Sequence, residues 1–320
     1  MDLAIMLEGQ EGPTYETILA VARRVEHHRL AGLYRSDHYS PIGGSADLVA
    51  TDAWATLAGL ARETKDIRIG TLVSPATFRP PAVVAKMAAT VSEMAGPGSD
   101  GASRVTLGMG TGWYETEHTR HGFPFEDLDT RFRRLEEHLE VVTRLHDRTA
   151  QPFDFVGDFV QLREAVFSPV PDPRPRLAIG GKGMRRTPGL VARFADELNG
   201  VVMTPEQCRE QRAALTQACE DIGRDPSTVR YSLMTGCLVG ATEDEFHARI
   251  RRLQEVQGDN RPVAEVIRER SGAWVQGTPD QALQRLDELA DAGVECVMLQ
   301  DLLPDDLEMV DLIAEQLRPA

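Results

Sequence analysis

Asp37 and His38 stand side by side where the apolar run Gly32-Leu33-Tyr34 gives way to polar residues. They are the only acid–histidine neighbours at a strand end in this chain. The ordinary histidine pKa suits proton transfer near neutrality. His38 is therefore a candidate proton carrier and Asp37 its candidate partner; the competing reading is a histidine that only holds a ligand ring. A second constellation is Gly180, Gly181, Lys182 and Gly183, followed by Arg185 and Arg186. Backbone N–H groups at a helix start bind phosphate, and three cations in five residues favour it further. The plainer alternative is a glycine turn with surface cations. Gly108, Gly110 and Gly112 form a third glycine-rich stretch, but it has neither the Lys-Ser/Thr of a phosphate loop nor a dinucleotide fingerprint. His118 and His121, with Glu115 and Glu117 nearby, have metal-ligand chemistry but no further ligand set, and no metal is expected.

These residues need elements to position them. Strand-like runs fall at about 2–7, 32–37, 67–74, 104–109, 176–180, 198–203, 230–239 and 294–300. Helical spacing between them is clear at 14–30, 80–95, 128–146 and 279–292. Thr14 and Thr278 are expected as N-caps, and Gly32 and Gly293 near the helix ends. Strands alternating with helices at this count predict an α/β fold, a (β/α)₈ TIM barrel with loop insertions. A doubly wound sheet usually carries its glycine fingerprint after the first strand, and none stands here. In a barrel the carboxyl ends of the strands share one mouth. The whole chain, 1–320, is expected to be one domain. Insertions are expected at about 111–127, 149–175 and 257–277, and Phe153 to Leu162 as a hairpin turning at Gly157-Asp158.

Composition narrows the function classes. The net charge of −15 disfavours nucleic acid and anionic membranes as partners. The densest basic run, Arg131, Arg133 and Arg134, precedes Glu136 and Glu137 and is expected as a solvated helix face. Four widely spaced cysteines suit a reducing cytoplasm rather than a disulfide framework or zinc site. No leader or long apolar span stands out, so a cytoplasmic protein is expected.

The sequence resembles the bacterial luciferase-like superfamily of flavin and deazaflavin oxidoreductases, and looks closest to the branch using coenzyme F420. The resemblance rests on Ser36-Asp37-His38, Gly70 to Val73 with Phe78 to Pro81, Leu107 to Trp113, Gly122 to Phe125 with Arg131, Ile179 to Gly181, Ala192 to Asp196, Gly277 to Pro279 and Ala292 to Val294. It implies a bulge with a non-proline cis peptide at Leu72–Val73, pressed against the cofactor ring. It implies Thr77 as a hydrogen-bonding partner of the ring or its side chain, and places Thr111 and Gly112 near the polyhydroxyl chain and tail. Trp113 stands where some sugar-phosphate dehydrogenases of the superfamily carry an acidic proton donor, which argues against glucose 6-phosphate and suits a less polar substrate wall.

The function implied is hydride transfer between F420 and an organic carbon. The alternative is a monooxygenase using reduced FMN from a partner reductase, and a third possibility is a non-catalytic flavin-binding protein. A flavin or F420 reductase as cofactor supplier, a small-molecule substrate and a homodimer are the partners implied.

Overall fold

The computed structural model describes residues 1–43 and 47–317. Alternation along each strand sorts its side chains between two apolar compartments. In β1 (Asp2–Leu7), Leu3, Ile5 and Leu7 join the large core between strands and helices, while Ala4 and Met6 join a small cluster inside the barrel. The same sorting repeats around the ring. After β1 come α1 (Tyr15–His27), β2 (Gly32–Arg35), α2 (Ala53–Glu63), β3 (Arg68–Thr71), the short β4 (Ser74–Pro75), α3 (Pro81–Ala95) and β5 (Val105–Gly110). Then follow α4 (Glu115–His121), α5 (Leu128–Leu145), the hairpin β6 (Phe153–Val156) and β7 (Gln161–Ala165), β8 (Arg176–Gly180), α6 (Arg186–Phe194) and β9 (Glu197–Val201). The chain continues through α7 (Pro205–Glu220), β10 (Arg230–Val239), α8 (Glu243–Gln257), α9 (Val263–Arg270), β11 (Val275–Gly277), α10 (Pro279–Asp291), β12 (Cys296–Asp301) and α11 (Leu307–Gln316).

Eight parallel strands close in the order β1-β2-β3-β5-β8-β9-β10-β12, with β12 returning to β1. This is the expected (β/α)₈ barrel. β4 adds to β5 above β3, and β11 pairs with the upper end of β10.

Helix starts follow their caps. Thr14 accepts from the Thr17 N–H, and Thr204 and Thr278 form capping boxes with Gln207 and Gln281. Gly32 does not end α1. The left-handed residue there is Arg29, at φ 56°, and Gly32 opens β2, where a Cβ would lie 2.5 Å from the Arg68 carbonyl oxygen of β3. Close strand approach, not helix termination, requires that glycine.

The segments expected as insertions hold regular structure. Residues 111–127 contain α4, with Glu115 and Glu117 in its first turn and His118, Arg120 and His121 in its last, the arrangement a helix dipole favours. Residues 257–277 contain α9 and β11. The hairpin forms as expected, its turn spanning residues 157–160. Glu137 of α5 holds that turn by accepting from the N–H groups of Asp158, Phe159 and Val160 at 2.7, 2.9 and 3.1 Å.

Candidate active site

His38 lies just beyond β2 with its side chain 11% exposed. Its Nδ1 is 2.8 Å from Oε2 of Glu117 on α4. Glu117 is fully buried, and its other oxygen accepts from the backbone N–H groups of Tyr39 and Ser40. Burial alone would raise the Glu117 pKa, but the His38 bond, its charge and the two N–H groups outweigh it and hold the carboxyl below its ordinary value. Burial pulls His38 down, yet Glu117, with Glu8 and Asp37 further off, leaves it above the ordinary histidine value. A carboxylate on Nδ1 fixes the ring and leaves Nε2, which no described residue bonds, to face a ligand.

Asp37 is His38's neighbour in the chain but not its hydrogen-bond partner. The Asp37 carboxylate is buried, accepts from Ser74 Oγ at 2.5 Å, and takes both Nη groups of Arg79 at 2.6 and 3.1 Å. Arg79 also donates to Tyr39 Oη at 2.5 Å and to Asp52 at 3.2 Å. Asp37 thus anchors the loop that carries His38, and Glu117 holds the imidazole. A bidentate Arg–carboxylate pair fixes planes as well as charge.

Leu72 and Val73, joined by a cis peptide as the resemblance implied, form the wall of the mouth above β3. Leu72 joins Met6, Tyr34, Met234 and Met298 inside the barrel, and Val73, Val201 and Val202 pack against them. Val73 fits into a hollow made by glycines of two strands. A Cβ on Gly110 would come within 2.7 Å of its Cγ2, and one on Gly108 or Gly180 within 3.0 or 2.9 Å of its Cγ1. The polar side of the mouth is a chain of groups. Ser36 Oγ donates to Gln10 at 2.5 Å, Gln10 donates to Glu8 at 2.8 Å, and Gln300 donates to the other Glu8 oxygen.

Thr77 is committed to the protein. Its hydroxyl is 2.7 Å from Nε2 of His118, whose Nδ1 donates to the Tyr114 carbonyl at 2.7 Å. Gly112, at φ +76°, passes over this pair, where a Cβ would be 2.9 Å from Thr77 Oγ1. Thr77 and Gly112 therefore build the loop together, and His118 and Glu117 already have protein partners. Thr111 Oγ1 donates to the Gly112 carbonyl at 3.3 Å. Trp113 is 61% exposed, with its ring edge-on to His38 at 6.0 Å.

The β8–α6 turn is held from behind by Gln211, fully buried, which donates to the carbonyls of Gly181 and Gly183 at 2.9 and 3.3 Å. The amino end of α6 has no side-chain cap. Lys182 and Arg185 make no ion pair among the described residues, whereas Arg186 turns away to Asp129 of α5 at 2.7 Å. Arg131 departs from the expected solvated face: it is 9% exposed and lies on the buried stripe of α5 with Leu135, His138, Leu139 and Val142. Its guanidinium stacks on Phe125 at 3.9 Å, and no described residue hydrogen-bonds it. Residues 3–296 match the family model described as luciferase-like monooxygenase. The chain belongs to this family.

The luciferase-like chain is similar to pyrimidine monooxygenase RutA of Escherichia coli strain K12, with 29% identity over 223 residues, covering 67% of this chain and 55% of that protein. It thus spans about 55% of the length of such curated relatives. An F420-dependent secondary alcohol dehydrogenase, solved in complex with an F420–acetone adduct, superposes with a TM-score of 0.81 at 20% identity over 100% of both chains. The monooxygenase RslO1 from Streptomyces bottropensis does so with a TM-score of 0.81 at 19% identity, over 99% of this chain and 98% of that one. At such identities the solved structures bear on the fold.

Two residues of this luciferase-like mouth, Glu8 and Glu117, have roles that escape a reading of the sequence, and a third residue, Arg131, was expected on the wrong face of its helix. Glu8 directly follows β1, so its place at a strand end was a usable signal. Arg131 is four residues before Leu135, a helical step that put it on the buried stripe. Glu117 carried no signal pointing to His38, since only the fold brings α4 to the β2 loop.

Proposed function

We propose that this luciferase-like protein moves a hydride between coenzyme F420 and an organic substrate carbon, with His38 carrying the accompanying proton. The observation that carries this reading is the state of His38: Nδ1 is held by a buried carboxylate and Nε2 is free at the barrel mouth. Bound there, the deazaflavin ring would supply a two-electron hydride carrier. Reduction of a carbonyl takes a hydride at carbon and a proton at oxygen, and His38 Nε2 is the group to give that proton. In the reverse direction the same nitrogen accepts it. Glu117 stabilises the protonated imidazole, and the Asp37–Arg79 pair keeps its loop in register.

The residues present fit a flat cofactor with an anionic tail. Leu72, Val73, Val201 and Val202 offer apolar contact for a ring. Arg131 stacks on Phe125 and its Nε is buried without a hydrogen-bond partner, a donor that an entering anion could satisfy. Lys182 and Arg185 flank the uncapped α6 end. Lys182 and Arg185 make no ion pair among the described residues, and two free cations at that turn support the longer anionic tail of F420 over FMN.

A monooxygenase using reduced FMN from a partner reductase is the second reading. The 29% identity with a pyrimidine monooxygenase over 67% of this chain favours it. The intact ring of strands and the His38–Glu117 pair support an enzyme over a non-catalytic flavin binder.

Fluorescence titration with F420 and FMN separates the cofactors, and sub-micromolar FMN affinity with millimolar F420 affinity would move the assignment to the second reading. His38→Ala is expected to leave cofactor affinity within a few-fold and slow turnover by about 10²–10⁴. Weakened cofactor binding with the saturated rate intact would retire the proton-carrying role.

A further inference from the structure

A cleft of about 440 Å³ lies between the β4–α3 segment, α5 and the β6–β7 hairpin. It is separate from the barrel interior. Ala76 and Val160 of its lining belong to the large core between strands and helices, and Ala82, Phe159 and Leu162 pack against that core. No member of the inner cluster that holds Leu72 and Val73 lines it. The protein fixes its walls. Glu137 of α5 clamps the hairpin at Phe159 and Val160, and the rings of Phe78 and Phe123 lie 4.5 Å apart.

His138 is the polar group of this cleft that the protein does not satisfy. It is 3% exposed, stands one helical turn beyond Arg134 on α5, and lines the cleft beside it. Its Nδ1 is enclosed without a hydrogen-bond partner, and no described residue bonds its Nε2. Buried polar side chains almost always have a partner, so an unbonded imidazole in the wall of a cleft points to a ligand. Burial and the Arg134 charge pull its pKa down to about 4. The ring is therefore neutral near pH 7, with one nitrogen to donate and one to accept.

The other polar groups are already committed. Arg134 pairs with Glu126, Arg79 pairs with Asp37 and Asp52, and Thr77 is bonded to His118. An anion finds no unpaired charge here. Apart from the exposed Gln161, the rest of the lining is aromatic or aliphatic, with Phe78, Phe123 and Phe159 as its rings. An aromatic ring placed among such rings gains more than its buried area alone. A hydroxyl can donate or accept, so it satisfies a neutral imidazole in either tautomer.

We propose that this cleft is a second binding site, for neutral aromatic molecules that carry one hydroxyl group and hydrogen-bond through it to His138. The site stands apart from the barrel mouth, and its occupation depends on neither His38 nor a cofactor.

Equilibrium dialysis of the full chain, without cofactor, tests this with 2-naphthol, naphthalene, 2-naphthoate and 2-decalol. 2-Naphthol is expected to bind more tightly than the anionic 2-naphthoate by about ten-fold or more, since a charge entering an apolar cleft goes unpaired. It should also exceed the saturated 2-decalol by about two- to ten-fold, the scale of an aromatic pair. His138→Leu keeps apolar bulk and removes the ring nitrogens. The ratio of 2-naphthol to naphthalene affinity should then fall by about two- to ten-fold, the worth of one neutral hydrogen bond. Ala82→Trp, at a half-buried position on α3, should fill the cleft and abolish 2-naphthol binding, and it carries the test if His138→Leu fails to fold. The mouth offers apolar contact to the same probes, so His38→Ala is the control and should leave 2-naphthol affinity unchanged. The inference is overturned by a wild type that does not bind 2-naphthol, or that binds 2-naphthoate or 2-decalol as tightly. A ratio unchanged in His138→Leu, or affinity lost in His38→Ala and kept in Ala82→Trp, overturns it as well.

Discussion

Glu117 is 79 residues from His38 in the chain, and its carboxylate is the group that gives the imidazole its character. The sign of the pH dependence follows from the two directions of shift. Glu117 is lowered from an ordinary 4.5, so its contribution is present above that value and lost as pH falls through its folded pKa. His38 is raised from 6.5, so its contribution is complete below that value and lost as pH rises through its folded pKa. The pair therefore stabilises the fold most between these ordinary values. Glu117→Gln keeps an acceptor for the Tyr39 and Ser40 N–H groups and removes the charge. It should destabilise by about 1.5–3 kcal/mol near pH 6, the worth of a hydrogen bond to a charged group, with a smaller loss at both extremes. Urea unfolding at acid, near-neutral and alkaline pH checks this. An equal loss at every pH would mean that Glu117 acts through packing alone.

Among elements, the amino ends of α5 and α6 matter most for an anionic ligand. Arg186 at the start of α6 pairs with Asp129 in the first turn of α5, so the two ends are joined at the rim. That pairing neutralises Arg186 and leaves Lys182 and Arg185 without an ion pair among the described residues at this end. Gly181→Asp should weaken binding of either cofactor, since a carboxylate would stand beside the expected phosphate. Gly181 has φ +155° and a Cβ there would make ordinary contact with Thr187 at 3.5 Å, so Gly181→Ala is the control for the backbone change. Arg131→Met keeps an apolar stem over Phe125 and should weaken FMN by about ten-fold or more while leaving riboflavin unchanged, because only FMN carries the phosphate. Equal effects on FMN and riboflavin would take Arg131 out of the anion site, and unchanged affinity in Gly181→Asp would do the same for the β8 turn.

For the molecule as a whole, the closed barrel sets where the strand ends and their side chains meet. No helix among the described residues is long and apolar enough to cross a membrane. A homodimer is proposed from the family resemblance, with an apolar helix face buried between barrels. Light scattering at micromolar concentration should give twice the chain mass of 35.3 kDa, and a single species at that chain mass would count against the dimer.

The sequence by itself determined the order of strands and helices, the barrel, the hairpin at Phe153 to Leu162, and which strand ends meet at the mouth. Periodicity and glycine placement are local properties, and a closed ring of parallel strands leaves little freedom in how such runs are arranged. His38 and the β8 glycine turn were legible because each lies at a strand end. Only the tertiary structure decided who partners whom. Asp37 and His38 are adjacent in the chain yet point to different partners, Arg79 and Glu117, because the fold brings those two side chains in from different elements. Thr77 goes to His118, and Arg131 turns inward under Phe125. Each of these contacts depends on how one element is rotated and seated against another, which packing settles and residue spacing does not.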